Sequence, residues 1–582
     1  MTTTSEDLPV AGRWRAKVME VFGADLRSLA LFRIVLALLV LADLANRVTD
    51  LSAHYTDGGV LPRTVLVSQV LSRWSFSLNL MNGEPFFQAL LFGVAAVAAL
   101  GLLVGYRTRL MTIVVWVLLL SIQWRNPLVG GADGPLLRLM LFWAMFLPLG
   151  AYWSVDRALK DGVLRLSTRF VSLATVGLFM QIAFVYWFTA ALKSGPEWRM
   201  DGTALYYALS LDQISTPVGR YLLNFPDLLT VMTYATFGLE ALGPFLLFCP
   251  FFTGPVRTGA VMAFMSLHFG IWLTMDIGIF PWISAFCMVC FLPGWFWDVP
   301  FAKLHATLPE RFLTAALRLR HKASNLVHKR LLPLQLRLSP PTDAAIPSVA
   351  GPTLRCEGGQ LGSRLASIVS LPRALISATS PRDDFAAGHR TANGAPNGTP
   401  AGSEPRMLRS SLVTNLLAFL FLIYVLCWNL TDVSAFTIPE RFVPIGPFLG
   451  LDQHWGMFAP SPSREDGWYV IPGTLRDGQQ TDLMSVARDD YGVHEVSWEK
   501  PQDVNATFKN EHWRKYLENI YMQKHADQRL YLGQYICRQW NARHTGAEQL
   551  TTFKITYMLE MTLPDYQRAA PQKVVLWEHS CF

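Results

Sequence analysis

The stretch VSLATVGLFMQIAFVYWFTAALKSGPEW, Val171 to Trp198, carries no charged residue until Lys193. At about 1.5 Å of rise per helical residue, its apolar part is long enough to cross the roughly 30 Å hydrocarbon core of a bilayer. The run stops on a lysine followed by Ser194-Gly195-Pro196-Glu197-Trp198, a polar, turn-forming, aromatic segment of the kind found where lipid gives way to water. Working outward, comparable apolar runs fall at roughly 28–46, 86–106, 109–123, 136–153, 228–250, 257–275, 278–297 and 411–430. With 171–192 they predict about nine spans, the third and fourth short and the eighth interrupted by Pro281.

Composition agrees. Of 582 residues, 51% are hydrophobic and 16% charged, with a mean hydropathy of +0.27. Soluble domains carry about 25% charged residues, so this chain cannot cover a globule of its size with charge. The net charge of +7 does not argue for nucleic acid, because membrane proteins collect Lys and Arg on their cytoplasmic side. Seven scattered cysteines exclude a disulfide scaffold. Met1 to Asp25 has no apolar h-region, so no cleavable signal peptide is expected and the first span serves as the anchor.

Arg13, Arg15, Lys17 and Arg27 precede the first span. On the same side fall Arg107, Arg109, Arg157, Lys160, Arg165, Arg169 and Arg257. This bias places the N-terminus in the cytoplasm, and an odd span count puts everything after Leu430 outside it. The expected divisions are a cytoplasmic segment (1–27), a membrane domain (28–299), a cytoplasmic linker (300–410), a last span (411–430) and an extracytoplasmic domain (431–582). Within the linker, Phe301 to Leu338 is basic and amphipathic, suited either to an anionic membrane surface or to a solvated helix. Pro340 to Pro405 is rich in Pro, Ser, Ala and Gly and reads as disordered. In the tail, strands flank the Arg476-Asp477-Gly478 turn, Asn510 to Arg543 is helical, and Thr551–Met561 and Lys573–His579 are strands. The expected fold is thus mainly α, a polytopic transmembrane helix bundle with a C-terminal extracytoplasmic α+β domain. Cys537 and Cys581 can pair there, although spacing alone does not decide it.

Ionisable groups inside spans are expensive and therefore candidates for function. They are Arg33, Asp43, Arg138, Glu240 and His268, with Lys193 at a span's outer end. Arg33 lies near a helix end, where snorkelling competes with chemistry. Glu240 sits well inside its apolar run and needs a partner, for which Arg33, Arg138 and His268 are available. His268, like His54, can line a membrane cavity or simply pack. Lys193 follows Phe184, Tyr186, Trp187 and Phe188; it either snorkels outward or, desolvated at the mouth of an apolar cavity, serves as a base. Cys287-Met288-Val289-Cys290 has redox-like spacing in an apolar helix and reads as packing. No phosphate loop, HExxH or Cys/His metal cluster is present in the sequence, and no metal is expected.

Several ordered motifs carry a family resemblance. They are Leu29-Ala30-Leu31-Phe32-Arg33, Tyr55-Thr56-Asp57-Gly58-Gly59-Val60-Leu61-Pro62, Trp124-Arg125-Asn126-Pro127 and Ala151-Tyr152-Trp153-Ser154-Val155-Asp156. Lys193 with Trp198 and Asp201-Gly202 follows, then His268 with Ile277-Gly278-Ile279-Phe280, and Trp455-Gly456-Met457-Phe458-Ala459-Pro460 after the last span. Over roughly residues 25–297 the chain resembles the vitamin K-dependent γ-carboxylase and its bacterial relatives, the horizontally transferred transmembrane (HTTM) domain proteins. In the carboxylase a lysine deprotonates reduced vitamin K within the membrane, and reaction with oxygen gives an epoxide and a base strong enough to prepare a glutamate for CO2. The resemblance implies Lys193 as base with His268 and Glu240 in support. It also implies Arg33, Tyr186, Trp187 and Trp198 around a reduced quinone, vitamin K or menaquinol. Pro127 stands where the carboxylase has a histidine after Trp-Asn-Asn, and the tail does not match the carboxylase's lumenal region, so the carboxylation step is not carried over with the base.

Two functions compete. One is a quinol-dependent membrane enzyme, in a bacterial cytoplasmic membrane, with a protein or peptide substrate at the extracytoplasmic face. The other is a non-catalytic module that presents its outer domain to a partner or binds a lipid.

Overall fold

The computed structural model describes residues 10–159, 167–301, 408–564 and 567–582. The basic and Pro-rich parts of the linker, with Lys160 and Arg165, lie outside the described residues.

The membrane part is built from helices α1 (Val10–Phe22), α2 (Leu26–Val48), α3 (Pro85–Val104), α4 (Thr108–Arg125) and α5 (Asp133–Ala144). It continues with α6 (Leu173–Leu192), α7 (Pro226–Leu247), α8 (Thr253–Thr274), α9 (Phe280–Cys287) and α10 (Leu412–Asp432). Among the described residues, six helices are long and apolar enough to cross a membrane: α2, α3, α4, α6, α8 and α10. The other three expected spans take different forms. The run at 136–153 yields only the 12-residue α5. The run at 278–297 forms α9 and a tighter turn to Phe291, with Pro281 in the first turn of the helix, where its missing N–H costs nothing. The run at 228–250 forms one helix, α7, that carries Asp227, Glu240 and Pro244.

Helix boundaries follow local chemistry. Asp25 caps α2 by accepting from the Arg27 amide at 2.8 Å. A reciprocal Ser172–Thr175 box starts α6, and Ser411 caps α10. Gly105 ends α3 at φ +73°, and a side chain there would also meet the Arg33 guanidinium, 2.7 Å from an added Cβ. The bundle interior is a continuous apolar core that includes Phe32, Leu36, Trp143, Phe179, Phe264 and Phe291. Cys287 and Cys290 are buried in it as free thiols.

One end of the bundle is tied by a short pairing of β1 (Ala24–Asp25) with β2 (Arg169–Phe170). Arg27 adds bridges to Asp25 and Asp298 there. The other end receives the C-terminal domain. Its strands are β3 (Glu465–Val470), β4 (Pro472–Leu475), β5 (Gln480–Asp482), β6 (Leu550–Met561) and β7 (Gln572–Ser580). The sheet is antiparallel in order β3-β6-β4-β5, with β7 also paired to the long β6. The expected turn at Arg476-Asp477-Gly478 joins β4 to β5, and the expected helical stretch is two helices, α11 (Glu511–Tyr521) and α12 (Arg529–Asn541). A disulfide joins Cys537 on α12 to Cys581.

The core of the C-terminal domain takes in residues from the bundle loops. Val60, Leu61, Leu66, Leu128 and Val129 from bundle loops belong to the same apolar core as Trp468, Trp513, Tyr516 and Ile555 of the C-terminal domain. Polar contacts line this seam. Asp50 accepts from Lys509 Nζ at 2.6 Å, Asn510 Nδ2 at 2.5 Å and Trp513 Nε1 at 3.1 Å. His54 packs on Trp513, ring centroids 4.6 Å apart and the planes tilted by 54°.

Glu511 is buried in the seam, and burial, reinforced by the Asp133 carboxylate, pushes its carboxyl up to about 8 from an ordinary 4.5. Between those values the folded chain holds a proton that the unfolded chain has released, so this group makes stability fall as pH rises from about 4.5 to about 8. Glu511→Gln is expected to flatten that decline. Thermal unfolding of the two forms across this range checks it, and parallel pH profiles would refute it.

Candidate functional site

The lysine at the end of α6 is not solvent-bound. Lys193 is 3% exposed and Glu240 7%. The Lys193 ammonium donates to Glu240 Oε2 at 2.6 Å. α6 and α7 pack side by side, which brings together two residues 47 positions apart in the chain. The Trp198 indole lies over the amine, 4.1 Å from Nζ to ring centroid. Snorkelling to the surface is thereby ruled out, and so is an amine alone among apolar walls. The partner of Glu240 is Lys193, none of the three expected cations.

Next to the pair, the Tyr186 hydroxyl and His268 Nε2 are hydrogen-bonded at 2.8 Å. Tyr186 packs on Phe264, and His268 on Phe280. Lys193 lies within electrostatic range of His268, and Glu240 of Tyr186; among the described residues no hydrogen bond joins the two pairs, which make a loose polar island of two separate contacts. His268 Nδ1 is buried without a hydrogen-bond partner among the described residues.

Not every expected residue joins this island. Arg33 is held elsewhere: its guanidinium donates to the carbonyls of Leu149 at 3.0 Å, Tyr152 at 3.3 Å and Trp153 at 2.6 Å. It fastens loop carbonyls at the end of the bundle near Gly105 and does not meet Lys193, so the structure separates it from the expected quinone site. Arg138 donates to the carbonyls of Gly450 and Asp452. Trp187 packs on Phe245 and Phe248, and its buried indole N–H has no hydrogen-bond partner among the described residues.

Sequence reasoning missed the residues that hold the lysine loop from outside. Glu197 accepts from Ser461 Oγ at 2.5 Å and from Arg464 Nη2 at 2.9 Å. Burial alone would raise the Glu197 carboxyl, but these hydrogen bonds bring it below its usual range. The motif Trp455 to Pro460 was the available signal, since it marks the same segment. A second cluster was also unanticipated. Asp212, Asp466 and Glu560 bring carboxylate oxygens within 4.8 Å of one another. Lys500 and Arg568 pair with both Asp212 and Glu560. Burial and the neighbouring Asp212 push Asp466 up to about 6. With two cations already paired there, the cluster is an ion network joining a bundle loop to the sheet.

Residues 23–295 match the family model of the HTTM domain. No curated protein and no solved structure matches the chain. Residues 23–295 are therefore an HTTM domain, and the chain is an integral membrane protein that carries it, with Lys193, Glu240 and His268 inside the matched span.

Proposed function

We propose that the chain is a membrane enzyme that oxidises a lipid-soluble quinol, with the Lys193–Glu240 pair as its base. The observation that carries the reading is this buried, hydrogen-bonded pair of opposite charges inside a membrane domain. Such a pair is costly to bury and is not a cheap source of stability. The similarity of the Lys193 segment to the carboxylase lysine supplies the substrate class. When the quinol hydroxyl meets Nζ, its proton moves to Lys193 as the amine's own proton passes to Glu240 along the 2.6 Å bond. Exclusion of water strengthens both transfers. His268 Nδ1 is free to bond the second ring oxygen, with Tyr186 holding the imidazole in orientation. With oxygen as oxidant, one oxygen atom enters the epoxide and the other leaves as water. The full chain in nanodiscs, given reduced menaquinone or vitamin K and oxygen, is expected to form epoxide. Product no greater than in empty discs would overturn the reading.

The positive-inside bias supports a cytoplasmic N-terminus, and the Cys537–Cys581 disulfide supports an oxidising side for the C-terminal domain. A non-catalytic, lipid-binding role is favoured by a separate feature. A cavity of about 540 Å3 opens at the end of α10, lined by Trp428, Met457, Asp432, Asp452 and His454. Bound lipid in wild-type chain that shows no quinol turnover would select that reading.

A further inference from the structure

The chain from Gly450 to Arg464 crosses the face of the HTTM domain and lands on the lysine loop. It is anchored first by Arg138, which donates to the carbonyls of Gly450 at 2.9 Å and Asp452 at 2.5 Å. Gln453 Oε1 then accepts from Gln181 at 2.7 Å and Trp455 at 2.9 Å, which fastens the segment to α6. Trp455 itself is fully buried. Beyond it, the Phe458 carbonyl accepts from Trp198 Nε1 at 2.9 Å, and the Pro460 carbonyl accepts from the Gly195 amide at 3.0 Å. Ser461 and Arg464 close on Glu197.

Gly195 shows how close the approach is. Its backbone is ordinary extended chain, φ −68° and ψ 156°, which any residue adopts. A Cβ there, however, would stand 1.9 Å from Ser461 Oγ. The glycine therefore makes room for the crossing segment and meets no need of the loop's own conformation. The indole fixed by Phe458 is the one that covers Lys193.

We propose that Ser461 and Arg464 are positioning residues for Lys193: acting through Glu197 and Trp198, they hold the lysine loop closed, so the C-terminal segment completes the outer wall of the site. This rests on the reading of Lys193 as the functional amine, but the test does not depend on turnover. The probe is fluorodinitrobenzene, which arylates unprotonated amines, applied to the full chain in nanodiscs, with adducts counted by peptide mass spectrometry. Lys554, on the exposed side of the sheet, is the internal control for reagent and integrity. Arg464→Ala is expected to speed labelling of Lys193 about tenfold, the scale of one charge-assisted hydrogen bond lost, with Lys554 unchanged. Arg464→Lys, which keeps a cation for Glu197, is expected to restore the slow rate. Gly195→Ala is expected to speed labelling as well, because a Cβ there meets Ser461 Oγ and the Pro460 carbonyl, and Ser461→Ala, which removes a hydrogen bond to Glu197, is expected to speed it without any added bulk. Arg464 is half-exposed, so its replacement empties no core. Wild-type labelling of Lys193 in both Arg464→Ala and Gly195→Ala would overturn the proposal, as would Arg464→Lys labelling as fast as Arg464→Ala. Absence of quinol oxidation by the wild type would count against the enzyme reading and leave this result standing.

Discussion

Lys193→Ala is expected to lower quinol oxidation by about 10²–10⁴-fold, the usual contribution of a positioned general base, and to destabilise the protein at the same time. The amine is the hydrogen-bonding cation of Glu240, and a buried charge stripped of its partner costs about 3–5 kcal/mol. These two losses can be separated. Lys193→Met combined with Glu240→Leu removes both charges and leaves apolar groups of similar volume, which are often neutral or favourable in place of a buried pair. The double variant is expected to unfold at a higher temperature than Lys193→Ala and to remain inactive. Turnover and thermal unfolding in nanodiscs read the two effects. A Lys193→Ala protein that keeps wild-type turnover would end the case for this residue as the base. A double variant no more stable than the single would show that the stranded carboxylate is not what destabilises.

Trp513→Ala is expected to cost about 3–5 kcal/mol, the range for truncating a buried tryptophan. Trp513 is 2% exposed and its ring packs on His54, Tyr516 and Tyr535. Its indole N–H reaches across the seam to Asp50. The loss is expected to fall on docking, so limited proteolysis should cut between residues 431 and 582 while the helical signal of the bundle holds. Trp513→Phe, which keeps the ring and loses the N–H, should recover most of the protection. Equal protease resistance in Trp513→Ala and wild type would show that the two parts are joined chiefly by something else.

Membrane residence and the mixed C-terminal domain were legible in the sequence, and so was the placing of Lys193, Glu240 and His268 as ionisable groups in or at the end of apolar runs. Each rests on a local signal: an uncharged run, a strand-and-turn pattern, or a charge where hydrocarbon is expected. What was not legible depends on neighbours distant in the chain. Glu240 needed a cation, but which one is settled by the packing of α6 on α7, and no spacing rule reports that. Arg33 read as snorkelling or chemistry, yet it binds loop carbonyls at 149–153. Runs at 136–153 and 278–297 looked like spans because apolarity alone does not reveal where a helix stops; Pro148 and Pro293 lie just past the helical parts. The tail read as an independent domain because its composition is that of a soluble protein. Its core, however, includes bundle loops, so deleting residues 431–582 would expose Leu128 and Val129 and open the lysine loop, and would not isolate one function from another.

The crossing segment also sets an order of events during synthesis. Trp198 and Phe458 are 260 residues apart, and at about 5–20 residues per second a ribosome needs roughly 13 to 52 s to travel between them. Throughout that interval the lysine helix has been synthesised while the segment that crosses its outer end has not. A product terminated before Phe458 therefore carries Lys193, Glu240 and Trp198 without the segment that fixes the indole in place, and the wall is complete only with the last quarter of the polypeptide.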